Sequence, residues 1–422
     1  MRRTRKFSAI LLVTSQLAAS LTATAATTNG RGFEINRNSA VVITFDSYPF
    51  STRARKIAVA LGQRGMDVTF LGMARPGRTG RWTEPGTNVE DGITVVHVNM
   101  KAPLTEPSLR NLLVNPARSY LPAISRMIRH LVLNRYDLAV TISASLSWLG
   151  ILHKVAHRGR LWLDINERPG AVKLSGSGAS LVSPIEAPLI RLASRWADIG
   201  TAVVPPDVET LRAYGFSKSI LLRNAPLNSW RANYRQIPAA PIRFVLIGSI
   251  FESRGFEMLI DAVRQIPDEI ELTVDVYGTG RSGYVEELID RTDRAQQGHR
   301  IHWKGPLERS KVSSTYLDAH VGLVLYESND LGNDGLSNKL MECVSSGRPV
   351  LAGSLPQNQR FVHDHGFGWT CEMTIEGLAA GILQVHRDFE KVDAIAAACR
   401  AAGDTWLNWD AEVATAADAI EA

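Results

Sequence analysis

The stretch of this 422-residue chain richest in ligand-handling chemistry runs Asp334-Gly335-Leu336-Ser337-Asn338-Lys339-Leu340-Met341-Glu342. It continues through Cys343 and Val344 into Ser345-Ser346-Gly347-Arg348-Pro349-Val350. A glycine-containing loop gives way here to a helix predicted over Ser337 to Ser346. The free N–H groups of a helix start, with their partial positive charge, suit a phosphate. Lys339 adds a full charge in that first turn. Glu342, three residues on, sits next to the same face, where a carboxylate accepts hydrogen bonds from sugar hydroxyls. The same residues equally describe a capped surface helix carrying a Lys–Glu pair.

Two more loops in this half each follow an apolar run. In Gly248-Ser249-Ile250-Phe251-Glu252-Ser253-Arg254-Gly255, Gly248 permits close backbone approach and Arg254 offers a planar fork to a phosphate. The other is Tyr277-Gly278-Thr279-Gly280. Gly278, Gly280 and Gly283 spell Gly-x-Gly-x-x-Gly, but only after the second strand of this half. No Walker motif is present and the first strand lacks the dinucleotide fingerprint, which counts against P-loop and NAD chemistry. In the other half, Asp46 and Arg53 follow the first strand, and Asp164, Glu167 and Arg168 end a later one. These five are polar candidates for an acceptor, or else turn and capping residues. No metal-ligand cluster is visible, and no nucleophile is nominated.

The elements that position these loops alternate. Strands are predicted at Val41–Phe45, Asp67–Gly72, Gly92–Val98, Leu138–Ile142, Arg160–Asp164 and Ile199–Val204, with helices between them. A helix over Arg53 to Arg64 turns Ile57 and Leu61 inward and leaves Arg55, Lys56 and Arg64 to solvent. After a loosening at Pro226 to Pro241 the pattern restarts, with strands at Ile242–Gly248, Leu272–Tyr277, Ile301–Trp303, Val321–Leu325 and Pro349–Ala352. The fold class is therefore α/β, with two doubly wound Rossmann-like domains facing a cleft. The expected division is a leader at 1–38, one domain at 39–230 and a second at 236–395. A C-terminal helix at 396–422 is expected to pack back towards the first domain.

Composition excludes several classes. The chain is 45% hydrophobic and 21% charged, with no apolar run long enough to cross a bilayer beyond the N-terminus. Its net charge of +5 divides into +17 over residues 1–235 and −12 over the rest. Such a split suits an anionic partner for the first half, or mutual attraction of two domains. Cys343, Cys371 and Cys399 have no metal-site spacing and read as buried thiols in a reducing compartment. Residues 1–38 begin with a basic segment and a moderately apolar stretch, in outline a secretory signal weakened by Ser, Thr and Gln. The basic stretch from Ser108 to Arg135 contains an amphipathic helix from Ala123, suited to an anionic membrane surface or to packing on the sheet.

The second half resembles the retaining glycosyltransferases of the GT-B group known as family 4. The resemblance rests on Gly248…Arg254-Gly255, Val276-Tyr277-Gly278-Thr279-Gly280, His302-Trp303-Lys304-Gly305-Pro306-Leu307, Asp334…Glu342 and Ser345-Ser346-Gly347-Arg348-Pro349-Val350. Asp164-Ile165-Asn166-Glu167 and Asn224-Ala225-Pro226 extend it into the first half and across the junction. It implies a nucleotide-sugar site formed by Gly248, Ser249, Arg254, Gly278, Gly305, Leu336, Ser337, Asn338, Lys339 and Glu342. Glu342 would bind the ribose, Asp334 would lie near the transferred sugar, and Arg254 and Lys339 would hold the diphosphate. Asp334 replaces a longer Glu, and Ser249 replaces the usual Arg.

The implied activity is sugar transfer, with retention, from a nucleotide diphosphate sugar to a lipid-linked or cell-envelope polysaccharide acceptor, with no separate cofactor. The expected place is the cytoplasm, at the inner face of an anionic membrane, without nucleic acid as a partner. A sugar-nucleotide epimerase and a non-catalytic glycosyltransferase-like binding protein are the alternative readings.

Overall fold

Apolar, β-branched runs become strands buried on both faces, and these gather into two sheets. The structure, a computed structural model, describes residues 38–74, 84–99, 116–165, 183–238, 240–252, 254–326, 335–353 and 355–421. The first sheet holds β1 (Ser39–Ile43), β2 (Asp67–Met73), β3 (Gly86–Glu90), β4 (Ile93–Val98), β5 (Leu138–Ile142), β6 (Arg160–Ile165), β7 (Ile199–Ala202) and β8 (Ser219–Leu221). They lie in the order β3-β4-β2-β1-β5-β6-β7-β8. Only β3 runs antiparallel to its neighbour. No strand is expected there, and its sequence shows why. Gly-Thr-Asn-Val-Glu holds one apolar residue, Val89, and that side chain is exposed at the sheet edge.

Helices α1 (Thr52–Gln63), α2 (Pro116–Leu133), α3 (Ser147–His157), α4 (Ser183–Ser194) and α5 (Pro205–Ala213) accompany this sheet. The second sheet holds β9 (Ile242–Ile247), β10 (Leu272–Tyr277), β11 (Ile301–Gly305), β12 (Val321–Val324), β13 (Val350–Ala352) and β14 (Gly368–Thr370). All are parallel, in the order β11-β10-β9-β12-β13-β14. Counted from β9 this is 3-2-1-4-5-6, the doubly wound order whose switch point lies between β9 and β12. Its helices are α6 (Phe256–Arg264), α7 (Ser282–Arg294), α8 (Val312–Leu317), α9 (Asn338–Ser346), α10 (Pro356–His365), α11 (Ile375–Arg387) and α12 (Val392–Thr405).

The last helix, α13 (Trp409–Glu421), leaves the second sheet and completes the core of the first. Trp409, Val413, Ala416 and Ile420 pack with Ala40, Val42, Ile57 and Leu61. Two main-chain links seat it: Trp409 N donates to Pro226 O at 2.8 Å, and its indole Nε1 donates to Lys56 O at 3.1 Å. The three cysteines are buried and form no disulfide, and burial pushes the Cys371 thiol up to about 12. Among the described residues no helix is long and apolar enough to cross a membrane.

Candidate active site

In doubly wound sheets ligands sit beyond the carboxyl ends of the strands, where the strand order reverses. In the second sheet that place belongs to the loops after β9 and β12. The first supplies Arg254, the second Tyr326. The Arg254 guanidinium lies between two aromatic rings, 4.4 Å from the centroid of Phe251 and 4.2 Å from that of Tyr326. Its buried Nε has no hydrogen-bond partner among the described residues. A guanidinium stacked on both faces keeps its donors in one plane, the arrangement that grips a phosphate by two oxygens.

Tyr326 also accepts a hydrogen bond from Ser337 Oγ at 3.0 Å, tying the β12 loop to the start of α9. Ser337 is the N-cap of α9, and its side chain accepts from Lys339 N at 3.2 Å. Ser337 N in turn donates to Asn358 Oδ1 at 2.9 Å. Two N–H groups at this helix start are thus held by the chain's own side chains, so less of the terminus is free for an anion than the sequence implies. One turn on, Lys339 Nζ lies 2.9 Å from Glu342 Oε2, with Arg309 Nη2 3.9 Å from Oε1. The Glu342 side chain is 9% exposed and that of Lys339 30%. Lys339 therefore balances Glu342, whereas Arg254, on the loop after β9, has no acidic partner among the described residues.

The glycines divide into two kinds. A Cβ built on Gly248 would meet only Lys339 Cε, at 3.9 Å. Packing does not demand glycine there, and the space before it is open. A Cβ on Gly278 would overlap Gly248 O, and one on Gly280 would overlap Ile250 O. Gly248 N donates to Tyr277 O at 2.9 Å, Ile250 N to Thr279 O at 2.8 Å, and Gly278 N to Gly305 O at 2.8 Å. Gly-x-Gly at 278–280 thus lets two backbones touch and frames the loop of Gly248. Gly305, whose carbonyl receives the Gly278 N–H, has φ +76° at the end of β11.

Residues 241–388 match the family of Glycosyl transferases group 1. Over the whole fold the chain is similar to sucrose-phosphate synthase from Thermosynechococcus elongatus, with a TM-score of 0.68 and 15% identity, covering 90% of this chain and 97% of that one. The chain has the GT-B fold. The same fold is shared with HepE from Anabaena in complex with UDP (TM-score 0.64, 15% identity, 91% and 99% covered). It is shared too with an Escherichia coli structure described as trehalose-6-phosphate bound with UDP-2-fluoro glucose (TM-score 0.60, 10% identity, 91% and 99% covered). No curated protein matches the chain in sequence.

The fold brings together Gly248, Ser249, Arg254, Leu336, Ser337, Asn338, Lys339 and Glu342 on the loops after β9 and β12 and on α9. Asp334, Glu167 and Arg168 lie outside the described residues. On the first sheet, Asp46 stands exposed in the loop after β1. Arg53 and Asp164 close on each other instead of opening to a ligand. Arg53 Nε and Nη2 reach Asp164 Oδ2 and Oδ1 at 2.6 and 2.7 Å, and Nη2 also donates to Leu222 O at 2.9 Å. Thr201 Oγ1 donates to Asp164 Oδ1 at 2.6 Å and receives the indole N–H of Trp162. With Asp164 fully buried and Arg53 6% exposed, this pair ties α1, β6 and β7 together. Its partners lie 111 residues apart, so no local pattern could reveal it.

Lys56 is a second departure from the sequence reading. It is not on a solvent face but buried under α13, with its Nζ 4.1 Å from the centroid of the Trp409 ring. Tyr326 and Asn358, which shape the donor loops, also carry no sequence signal, since each works through a contact made only in the folded chain. Among the described residues no group of His, Cys, Asp and Glu is placed to hold a metal ion.

Proposed function

We propose that this enzyme moves a hexose-type sugar, with retention, from a UDP-sugar to an acceptor hydroxyl bound on the first sheet. The observation that carries the reading is Arg254, a stacked cation at the β9–β12 switch point with no acidic partner among the described residues, on the loop that precedes α6, while α9 after β12 carries the buried Glu342. The bond from the anomeric carbon to the diphosphate breaks as the bond to the acceptor oxygen forms on the same face, and the acceptor proton passes to the departing diphosphate. Charge grows on that diphosphate, and Arg254 meets it in a fixed place, the preorganised stabilisation that lowers such barriers most. Glu342 accepts hydrogen bonds from the ribose. Asp334 lies near the transferred sugar by resemblance alone. The UDP and UDP-2-fluoro glucose complexes of proteins sharing the fold support uridine as the base.

Calorimetry against UDP, GDP and ADP tests this. UDP is expected to bind, and Glu342→Ala to weaken it by about 10- to 100-fold, the range for a charged hydrogen bond. No binding of any nucleotide by the folded wild type would refute the donor site.

A lipid-linked acceptor at the cytoplasmic face of a membrane is favoured by one surface. Helices α2, α3 and α4 share a core through Ala123, Met127, Leu131, Leu149, Ile190 and Ala193. Their outward side and adjoining turns expose Leu121, Leu133, Val155, Leu192 and Trp196 among exposed Arg126, Arg129, Arg135, Arg158, Arg191 and Arg195. Asp198, in the turn after α4, is paired with Lys154 Nζ at 2.6 Å. Leu and Trp among arginines suit an anionic bilayer surface. In flotation assays the protein is expected to rise with vesicles containing phosphatidylglycerol and not with pure phosphatidylcholine. Equal binding to both would remove the electrostatic basis of this reading.

A further inference from the structure

Lys56 buries an ammonium that touches no carboxylate among the described residues, yet it is 6% exposed. Its Nζ donates to Asn224 Oδ1 and to Ala225 O, both at 2.7 Å, and its remaining face lies on the Trp409 ring. Burial, with Arg53 and Arg309 nearby, pulls its amine well below the usual lysine value, and Glu342 and Glu412 oppose that pull. Desolvating an ammonium for neutral partners is costly, and an apolar side chain would fill the same space more cheaply. Packing alone does not account for a lysine here.

The geometry beyond Nζ does. Asn224 sits in the segment joining the two sheets. With its carbonyl oxygen held by Lys56, its Nδ2 points onward and donates to Asn338 Oδ1 at 3.1 Å. Asn338 is the first residue of α9, beside Lys339 and one turn before Glu342. The Lys56 end cannot drift, because the Trp409 indole donates back to Lys56 O. A chain of three side chains thus runs from α1 of the acceptor sheet to the first turn of the donor helix.

We propose that Lys56 is a positioning residue: by orienting the Asn224 amide it holds the start of α9, and the donor with it, in a set place relative to the acceptor sheet. The proposal rests on the donor-site reading above and says how that site is aligned with the other half of the reaction. Arg254 and Glu342 lie outside the chain of contacts, so nucleotide affinity is not expected to depend on Lys56, whereas the spacing of the two sheets is.

The test places spin labels at Val89→Cys on the first sheet and Arg360→Cys on α10; the native cysteines are all buried. Distances are read in full-length protein with and without UDP, and UDP affinity is measured by calorimetry on the same samples. A single narrow distance peak is expected for the parent. Lys56→Met and Asn224→Ala are each expected to lose it while UDP affinity holds, the double variant to lose no more than either, and Lys56→Arg to restore it. Asn224→Ala empties no core position, so it remains informative should Lys56→Met fold poorly. A folded variant that keeps the narrow peak would overturn the proposal. A parent that keeps its peak but binds no UDP would overturn the donor site instead.

Discussion

Replacing Arg254 by alanine is expected to lower kcat by about 100- to 1,000-fold, the loss typical when one preorganised charge partner of a transition state is removed. The fold should be little affected, because the guanidinium stacks on Phe251 and Tyr326 and makes no ion pair among the described residues. UDP affinity should fall as well, by less than kcat, since negative charge on the diphosphate is greatest as the sugar departs. Arg254→Lys is the sharper comparison. It keeps the charge but loses the plane that two rings hold, so only partial recovery is expected. Assaying UDP release alongside thermal unfolding separates these outcomes. Unchanged turnover in a folded Arg254→Ala enzyme would remove Arg254 from the mechanism.

Trp409→Ala is expected to have the largest effect on stability. The indole, at the start of α13, is fully buried against α1 and donates one hydrogen bond, to Lys56 O. Trp-to-Ala changes in cores cost about 3–5 kcal/mol, enough to lower the Tm of a lobe this size by about 10 °C. The loss should appear in the first sheet's unfolding transition, although residue 409 follows the whole of the second sheet in sequence. It also strips the ring from Lys56, so this variant should reproduce the altered sheet spacing expected of Lys56→Met. A wild-type Tm by calorimetry would show that α13 is not part of that core.

The central strands of both sheets were legible because buried parallel strands are written as continuous runs such as Val41-Val42-Ile43 and Phe244-Val245-Leu246-Ile247, whereas the three-residue, partly exposed edge strands β8 and β14 were not. The start of α9 was legible to within a residue, since Ser337 caps through its own side chain. What could not be read depends on distant partners. Helical periodicity places Lys56 on a polar stripe, but it contains no sign that a helix from the far end of the chain will cover that stripe. Asp164 and Arg53 have the composition of a ligand-binding pair, and only their mutual distance makes them a structural one. Gly278 looks like a phosphate loop because the requirement for no side chain is the same whether a backbone or a ligand comes close. Strand β3 escaped because an edge strand exposed on both faces need not be apolar.

Ribosomes deliver a chain from its N-terminus, and early domains ordinarily fold as they emerge. Here the first sheet cannot close its core on that schedule. One flank, lined by Ala40, Val42, Ile57 and Leu61, stays uncovered until Trp409 to Ile420 are made, after every strand of the second sheet. The nascent protein therefore carries a sticky apolar face throughout translation of its donor half, and its two halves reach their finished form together.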